Sequence, residues 1–293
     1  MITGSTRLYA VAGYPVKHSL SPAIHNFLFD FYGVDAIYVS LPVVEKNFLP
    51  LVKALSLTSF DGINLTTPHK SGFLNTDNSF LDLTEKAKAL SAVNTLKKIN
   101  PDTDRWMGYN TDGAGICDFI ELESDFSLSD TAVTIFGTGP AARSAVYELL
   151  NRQARVSVIN RTRTGFEHNF WKKLIDEDII QVASANEIER GHSFIDGSTI
   201  IINATGFGQG GKVEKNPFFM DLSSALPELV VDMNYSLKNA TVFNSIFSDK
   251  VCSCNGIGML RRQAGLAFSI WTDTTIDEAV HKELRNYIDS CIV

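Results

Sequence analysis

The chain has 293 residues, enough for two ordinary domains that each bury a core. Its composition is that of a globular protein, with 44% hydrophobic and 20% charged residues. A formal net charge of −7 argues against a broad surface for nucleic acid or anionic membranes, and leaves small molecules as the expected ligands.

The N-terminal segment and the cysteines bear on location and metal binding. The segment MITGSTRLYAVAG has no basic region before an apolar one, and no apolar run reaches the roughly 20 residues of a membrane span. We therefore expect a cytoplasmic protein with no membrane partner. Four cysteines are too few for a disulfide framework, and Cys252 and Cys254 lack a second Cys or His pair at zinc spacing. No metal site is expected.

Short β-branched and aromatic runs alternate with helical patterns, which predicts an α/β fold with mainly parallel sheets. In the first half, a strand is predicted at 8–12, a helix near 22–32, and strands at 36–41, 62–65, 93–99 and 106–109.

The loop GYPVKHSLSP joins the first strand to the first helix. Ser21 stands where an N-cap belongs, and Pro22 at the first helical position. The hydroxyls of Ser19 and Ser21, with free N–H groups at a helix N-terminus, form a receptor for a carboxylate or phosphate. An ordinary helix cap explains Ser21 as well. His18 and His25 are equally explained by packing or hydrogen bonding.

A second series of alternating elements begins after a boundary near Asp112. Strands are predicted at 131–136, 155–159, 199–203, 229–232 and 250–252, with a helix at 140–151. The segment after Asn255 has more helix than a nucleotide-binding unit needs. We expect a first domain of residues 1–111, completed by helices in 256–293, and a second domain of residues 112–255.

A glycine turn follows the first strand of the second series. Gly137 permits a tight turn, Gly139 lets the backbone approach a pyrophosphate, and Ala142 is small enough for helix and strand to pack. Pro140 at the first helical turn removes only an N–H that has no helical partner. The pattern predicts a Rossmann dinucleotide site, although a plain tight turn is the alternative.

The next strand ends in Asn160-Arg161-Thr162-Arg163. An NAD site usually places Asp or Glu about 20 residues after the glycine turn, and no acid stands there. Arg161 and Arg163 can pair with a 2′-phosphate, to which Thr162 adds a hydroxyl, so the sequence predicts NADP. A solvated basic loop is the alternative.

Seven motifs in order resemble those of the shikimate dehydrogenase family. They are GYPVKHSLSPAIHN, GINLTTPHK, SAVNTL, GYNTDGAG, INATGFG, VDMNY and NGIGMLRRQA, and they span nearly the whole chain. The resemblance implies an N-terminal α/β substrate domain completed by C-terminal helices, a Rossmann NADP-binding domain, and an active site in the cleft between them. It also implies reversible, NADPH-dependent reduction of 3-dehydroshikimate to shikimate in chorismate and aromatic amino acid biosynthesis.

The resemblance implies a role for individual residues. Lys70 and Asp112 are the expected catalytic pair. The expected substrate contacts are Ser19 and Ser21 to the carboxylate, and Asn64, Thr66, Asn94, Asp112, Tyr235 and Gln263 around the ring. The expected cofactor contacts are Gly137, Thr138, Gly139, Pro140, Ala141, Asn160, Arg161, Thr162, Arg163, Thr205, Met233 and Gly256.

A solvated lysine and a helix N-cap are the alternatives for Lys70 and Asp112 outside their motifs. The sequence departs from the family at Pro140, at INATG for INATS, at SAVNT for GAVNT, and at Ser-Leu after Tyr235. A quinate/shikimate dehydrogenase or related ring-acid enzyme, and a non-catalytic NADP sensor, remain alternative functions. Either a monomer or a homodimer is expected.

Overall fold

A computed structural model describes residues 2–73, 79–100, 103–184, 186–207, 222, 225–235, 241, 243–247 and 251–291. The chain divides into two compact units. The first consists of Met1–Asp112 with Arg261–Val293, and the second of Gly113–Leu260. None of the described helices is long and apolar enough to span a membrane.

The described strands and helices alternate along the chain. The strands are β1 (Arg7–Gly13), β2 (Ala36–Pro42), β3 (Phe60–Leu65), β4 (Leu81–Leu83), β5 (Thr95–Lys98), β6 (Trp106–Tyr109), β7 (Ala132–Phe136), β8 (Arg155–Asn160), β9 (Gln181–Ser184), β10 (Ile200–Asn203), β11 (Leu229–Asp232) and β12 (Cys252–Cys254). The helices are α1 (Ser21–Phe31), α2 (Glu45–Ser56), α3 (Glu85–Leu90), α4 (Asp112–Leu122), α5 (Pro140–Asn151), α6 (Asn169–Asp176), α7 (Ile188–Asp196), α8 (Ile257–Thr272) and α9 (Glu278–Cys291). The α/β fold predicted from the sequence is confirmed.

The sheet of the first unit has the order β2-β1-β3-β5-β6-β4. The pairs β1–β2, β1–β3 and β4–β6 are parallel, whereas β5 runs antiparallel to both of its neighbours. The short connection between β5 and β6 explains the reversal, because a parallel crossover needs a dozen or more residues. The expectation of mainly parallel sheets is confirmed, with β5 as the antiparallel exception.

Helix α8 packs against this sheet through Trp271. The indole Nε1 donates a hydrogen bond to the carbonyl of Leu96 at 2.9 Å, and the ring lies 4.9 Å from that of Tyr9. A side chain at Gly62 would collide with the indole, so a glycine is required where β3 meets this helix. The C-terminal helices thus supply part of the core of the first unit.

The sheet of the second unit is parallel throughout and has the order β12-β11-β10-β7-β8-β9. The first strand in sequence, β7, lies between the second strand, β8, and the fourth, β10. This is the doubly wound Rossmann order, in which ligands bind beyond the carboxyl ends of the strands where the order reverses. Its switch point lies between β7 and β10.

Two features of the second unit set the position of the glycine turn. Strand β7 is buried from Val133 to Phe136, which fits a central strand covered on both faces. Helices α4 and α5 approach so closely that a side chain at Gly113 would overlap the carbonyl of Ser144, and Gly113 N donates to Ser144 Oγ at 2.7 Å. The first turns of α5 are therefore packed tightly against α4.

Strand β12 lies later than its predicted position of 250–252. It covers Cys252–Cys254 and pairs in parallel with β11, with Leu229 opposite Cys252. Its first two residues are exposed at the sheet edge, so the apolar pattern used to place it is weak there. Residue 250 lies outside the described residues.

Candidate active site

Lys70 and Asp112 form a close pair in the first unit. Lys70 Nζ lies 2.8 Å from Asp112 Oδ2, with 20% of the lysine side chain and 4% of the aspartate side chain exposed. Lys70 lies in a short 3-10 turn after β3, and Asp112 is the first residue of α4. The structure brings the two predicted catalytic residues together, and the lysine is the more exposed of the two.

The backbone around Lys70 is held by its neighbours. His69 is buried, stacks on Phe48 with ring centroids 4.2 Å apart, and lies with Nε2 2.8 Å from the carbonyl of Val43. The carbonyl of Lys70 itself accepts a hydrogen bond from Val93 N at 2.8 Å. These contacts fix the turn from which the lysine side chain projects.

The second carboxylate oxygen of Asp112 is also occupied. Asn94 Nδ2 donates to Asp112 Oδ1 at 2.9 Å, and the same amide nitrogen lies 3.3 Å from Gln263 Oε1. Although α4 begins at Asp112, its two carboxylate oxygens accept bonds from the side chains of Lys70 and Asn94. The carboxylate therefore orients the lysine, and helix capping is not what engages it.

Asn64 extends this hydrogen-bonded network towards β2. Its amide nitrogen donates to Thr95 Oγ1 at 3.0 Å and to the carbonyl of Asn94 at 3.2 Å. Its Oδ1 accepts from the hydroxyl of Tyr38 at 2.8 Å. Four predicted residues, Lys70, Asp112, Asn94 and Asn64, therefore belong to one continuous network, which Gln263 joins from α8.

Tyr38 and Thr95 belong to this network but were not among the predicted site residues. Tyr38 is fully buried in β2, and burial raises the pKa of its hydroxyl well above the ordinary value. The sequence gives little signal for them, because Tyr and Thr are ordinary strand residues and the Asn64 that joins both comes from another strand.

The structure overturns one local prediction in the loop after β1. Helix α1 begins at Ser21, its N-cap is Leu20, and no side chain caps it. The amide of Ser21 instead donates to Ser19 Oγ at 3.2 Å, and Ser21 is buried with its hydroxyl beside Tyr38. Because the turn ending at Leu20 already supplies the first helical carbonyl, to Ile24 N at 3.0 Å, Ser21 is not the N-cap.

The remaining substrate candidates are placed as follows. Thr66 is half-buried just after β3, and its carbonyl accepts from His69 N at 2.9 Å. Tyr235 is half-buried and belongs to the second unit, three residues after β11. The proposed roles of Thr66 and Tyr235 stay predictions.

The glycine turn of the second unit has the backbone that a phosphate site needs. Gly137 has φ +110°, which L side chains rarely adopt. Gly139 is the N-cap of α5, and a Cβ built on it would meet no atom within 4 Å. Trp171 Nε1 donates to the carbonyl of Thr138 at 3.1 Å and steadies the turn from α6. Open space therefore adjoins the N-terminus of α5, beside Pro140 and Ala141.

The loop after β8 lies next to this turn. A side chain at Gly165 would collide with Asn160 and with Thr138 Oγ1, so the two segments are in contact. Asn160 Nδ2 donates to the carbonyl of Thr162 at 2.9 Å, while Arg161, Thr162 and Arg163 are exposed. Arg163 Nη1 also lies 3.2 Å from Glu187 Oε2, an ion pair that the sequence pattern does not predict.

A closed ring of hydrogen bonds joins the ends of β10 and β11. Thr205 Oγ1 donates to Asn203 Oδ1 at 2.6 Å, and Asn203 Nδ2 to Asp232 Oδ1 at 2.9 Å. Asn234 Nδ2 closes the ring, donating to the same Asp232 oxygen at 3.0 Å and to the carbonyl of Thr205 at 2.9 Å. Burial raises the pKa of the Asp232 carboxyl above its ordinary value.

The ring sets the positions of the last cofactor candidates. Met233 lies between Asp232 and Asn234, and its N donates to the carbonyl of Asn203 at 2.9 Å. A side chain at Gly256 would overlap the carbonyl of Met233, so a glycine is required there. Thr205, Met233 and Gly256 thus follow the carboxyl ends of β10, β11 and β12.

Two buried basic side chains, one in each unit, have pKa values below their ordinary ones. Burial lowers the pKa of Arg143, in α5, to about 10, and lowers that of His25, in α1, to about 3. Among the described residues, no group of three or more His, Cys, Asp or Glu side chains is placed to bind a metal ion together.

A lysine held by a buried carboxylate in one unit, and a Rossmann strand order with an open glycine turn in the other, define a nucleotide-dependent oxidoreductase of the two-unit α/β class. Residues 11–96 match the family model of the shikimate dehydrogenase substrate binding domain.

Full-length relatives agree with that match. The chain is 31% identical to a shikimate dehydrogenase (NADP(+)) of Methanococcus maripaludis, over 98% of this chain and 99% of the relative. A solved shikimate dehydrogenase in complex with NADP+ is 29% identical, with a TM-score of 0.81 over 100% of this chain and 98% of that one. The shikimate 5-dehydrogenase of Thermus thermophilus in complex with shikimate is 25% identical, with a TM-score of 0.76 over 97% and 99%. The chain belongs to the shikimate dehydrogenase family.

Proposed function

We propose that the protein is an NADP-dependent shikimate dehydrogenase, which interconverts 3-dehydroshikimate and shikimate. The observation that carries the proposal is the Lys70–Asp112 pair, joined by hydrogen bonds to the amides of Asn94, Asn64 and Gln263. These groups offer a proton donor and several ring-hydroxyl partners in one place, which is what a hydroxylated ring ketone requires.

The second unit fits the nucleotide. The open space at Gly139 and the N–H groups at the start of α5 suit a pyrophosphate, and Arg161 with Thr162 suits a 2′-phosphate. When bound, NADPH supplies the hydride that reduces the ketone carbon. Thr205, Met233 and Gly256 would hold the nicotinamide end.

The chain's own residues supply binding and the proton. Ser19 and Ser21 would bind the substrate carboxylate, and Asn64, Thr66, Asn94 and Gln263 the ring hydroxyls, with Tyr235 alongside. In the reducing direction, Lys70 donates a proton from Nζ to the carbonyl oxygen, which becomes the hydroxyl of the product. Asp112 keeps Nζ oriented by accepting one of its N–H groups, so another remains for the substrate. In the oxidising direction, the neutral amine takes the proton back.

A substrate panel tests the activity. Purified protein is assayed with shikimate and quinate, each with NADP and NAD, by following the absorbance of the reduced nicotinamide. We expect the highest kcat/KM with shikimate and NADP. Faster turnover of quinate would favour the quinate/shikimate alternative, and no turnover with any pair, together with NADP binding, would favour the sensor.

Cofactor choice is tested separately at Arg161. One charge-assisted hydrogen bond is worth about 1.5 to 3 kcal/mol, or about 10- to 150-fold in affinity. Arg161→Ala is expected to raise the KM for NADP by that order and to change the use of NAD little. A wild-type kcat/KM for NAD equal to or above that for NADP would overturn this assignment.

We also propose a cytoplasmic location and a monomeric or homodimeric state. The four cysteines all lie in the described part of the chain and form no disulfide there, which supports a reducing compartment; they are Cys117, Cys252, Cys254 and Cys291. Sedimentation of the purified protein would determine its oligomeric state.

A further inference from the structure

A carboxylate from the next strand reaches the loop that carries the cofactor arginines. Strand β9 pairs in parallel with β8, with Ser184 opposite Asn160, so the loops after both strands leave the same edge of the sheet. Glu187 follows β9, and its Oε2 lies 3.2 Å from Arg163 Nη1. The carboxylate that pairs with Arg163 thus comes from a residue 24 positions later in the chain.

The Glu187 carboxylate is fixed by more than this ion pair. Ser184 donates to Oε2 from its hydroxyl at 2.8 Å and from its backbone N at 3.0 Å, and Ser184 is itself buried. These hydrogen bonds from Ser184, with the nearby charges of Arg163 and Arg190, lower the pKa of the Glu187 carboxyl below its ordinary value. Glu187 is therefore charged at neutral pH, and its position does not depend on Arg163.

Arg163 is the less constrained partner. Its side chain is 56% exposed, and a single nitrogen meets Glu187. The guanidinium also lies over the ring of Phe166, 5.9 Å from its centroid. An exposed cation beside a fixed anion is attracted to that anion, and a second anion at the same arginine has to compete with it.

We propose that Glu187 is a specificity-determining residue for the nucleotide: it holds Arg163 and neutralises its charge, which weakens the attraction of Arg163 for a 2′-phosphate. The proposal rests on the proposed use of NADP. It implies that NADP is preferred to NAD by a smaller factor than the same site without the Glu187 carboxylate would give. Glu187 thus limits the size of the preference.

The test uses binding of nucleotide fragments, so it needs neither substrate nor turnover. The probes are adenosine 2′,5′-bisphosphate, which carries the 2′-phosphate, and adenosine 5′-monophosphate, which lacks it, each titrated by calorimetry at fixed salt. Glu187→Gln keeps an oxygen that can accept from Ser184 and removes the charge. Because exposed ion pairs are worth little, we expect Glu187→Gln to bind the bisphosphate about two- to fivefold more tightly, with the monophosphate unchanged.

Two further variants make the result specific. In an Arg163→Gln background, Glu187→Gln should tighten bisphosphate binding by a smaller factor, because the arginine it would release is gone. Glu177→Gln, which removes an exposed carboxylate after α6, should leave both probes unchanged. Thermal unfolding of each variant verifies that it is folded.

The inference is overturned if Glu187→Gln binds the bisphosphate no more tightly than wild type, or if the gain is as large without Arg163. Failure of the proposed activity would look different: no shikimate turnover, with the fragment results intact. If neither wild type nor Glu187→Gln prefers the bisphosphate to the monophosphate, the use of NADP and the role of Glu187 are both overturned.

Discussion

At the scale of single residues, Lys70 combines access with restraint. Its side chain is one-fifth exposed, yet the turn beneath it and the carboxylate of Asp112 leave it little freedom. A proton donor that is already oriented loses little entropy when the substrate binds.

Lys70→Ala is expected to lower kcat by about 10²- to 10⁴-fold, the usual loss for a general acid or base, while the KM for shikimate changes far less. Lys70→Gln, which can still donate to Asp112, checks that the loss does not come from misfolding, and Lys88→Ala, at an exposed lysine paired with Glu85, is the matched control. Near wild-type turnover by folded Lys70→Ala would show that Lys70 is not the general acid or base. Asp112→Asn should be slow as well and should also bind substrate more weakly.

His25 is a second residue whose surroundings determine its chemistry. It is fully buried, with its ring 4.4 Å from that of Tyr38 and 5.0 Å from that of Trp271. Burial lowers its pKa to about 3, an effect that nearby Asn64 offsets only in part. The imidazole is therefore neutral in the folded protein and acts as an aromatic packing group.

This burial makes a prediction about acid stability. The unfolded chain takes up a proton on His25 near pH 6.5, whereas the folded chain does not until about pH 3. Above about pH 6.5 the histidine is neutral in both states and does not reduce the free energy of unfolding. As the pH falls from there towards 3, only the unfolded chain gains the proton, so this group lowers the free energy of unfolding by about 1.4 kcal/mol per pH unit. His25→Leu should flatten the decline of the urea midpoint between pH 6.5 and 5; equal acid slopes for variant and wild type would contradict it.

At the scale of elements, the glycine turn separates a folding role from a binding role. Gly137 has φ +110°, and its Cβ would lie 3.0 Å from the carbonyl oxygen of Ala204. Gly139 has an ordinary extended backbone and open space around it. The first glycine is required by the chain, and the second leaves room for a ligand.

The two alanine substitutions should therefore differ. Gly137→Ala is expected to reduce the free energy of unfolding by about 1–3 kcal/mol, because it forces a side chain into a strained conformation. Gly139→Ala should cost only about 0.5–1 kcal/mol of stability, the difference between Gly and Ala at an N-cap, yet weaken NADP binding by at least about tenfold, since its methyl group occupies the space at the helix N-terminus. Calorimetric binding and chemical unfolding of both variants test this. Unchanged NADP affinity in Gly139→Ala would place the pyrophosphate elsewhere.

The loop before α1 makes the corresponding prediction for the substrate. Since the N-cap of α1 is Leu20, replacing Ser19 and Ser21 with Ala leaves the N-cap residue in place and removes two hydroxyls, together with the bond from Ser21 N to Ser19 Oγ. Each hydrogen bond to a charged group is worth about 1.5–3 kcal/mol, so the KM for shikimate should rise at least about tenfold while that for NADP stays constant. A fall in thermal stability with no change in KM would assign these serines to packing around Tyr38 instead.

At the scale of the whole molecule, local patterns predicted some elements well. Strand β6, helix α5 and strand β11 lie at their predicted bounds: the strands are short runs of strand-forming residues, and α5 starts at a proline directly after the glycine turn. The three-residue strand β4 and the strand β9 were not predicted, since such short runs carry little periodicity. The reversed direction of β5 depends on the connection to β6, which composition does not reveal.

The candidate site divides in the same way. Ordered motifs brought forward Lys70 and Asp112, which the structure places 2.8 Å apart. Tyr38 and Glu187 were missed because each contacts a residue that is distant in the sequence, and no spacing along the chain records that contact. Ser21 was misassigned as a cap, because the preceding turn supplies the first helical carbonyl.

The insertion of one unit into the other has a consequence for how the protein is made. The second unit is continuous, from Gly113 to Leu260, whereas the first needs residues from Arg261 onward. Trp271, which packs on Tyr9, leaves the ribosome about 160 residues after Asp112; at about 5–20 residues per second this is a delay of roughly 8 to 30 seconds. During that interval β1 and β3 lack the helix that covers them, while the later-made unit can already close. The unit whose residues are synthesised first is thus the last to complete its fold. A nascent chain halted before residue 261 would have a complete nucleotide-binding unit, while β1 and β3 would still lack the helix that covers them.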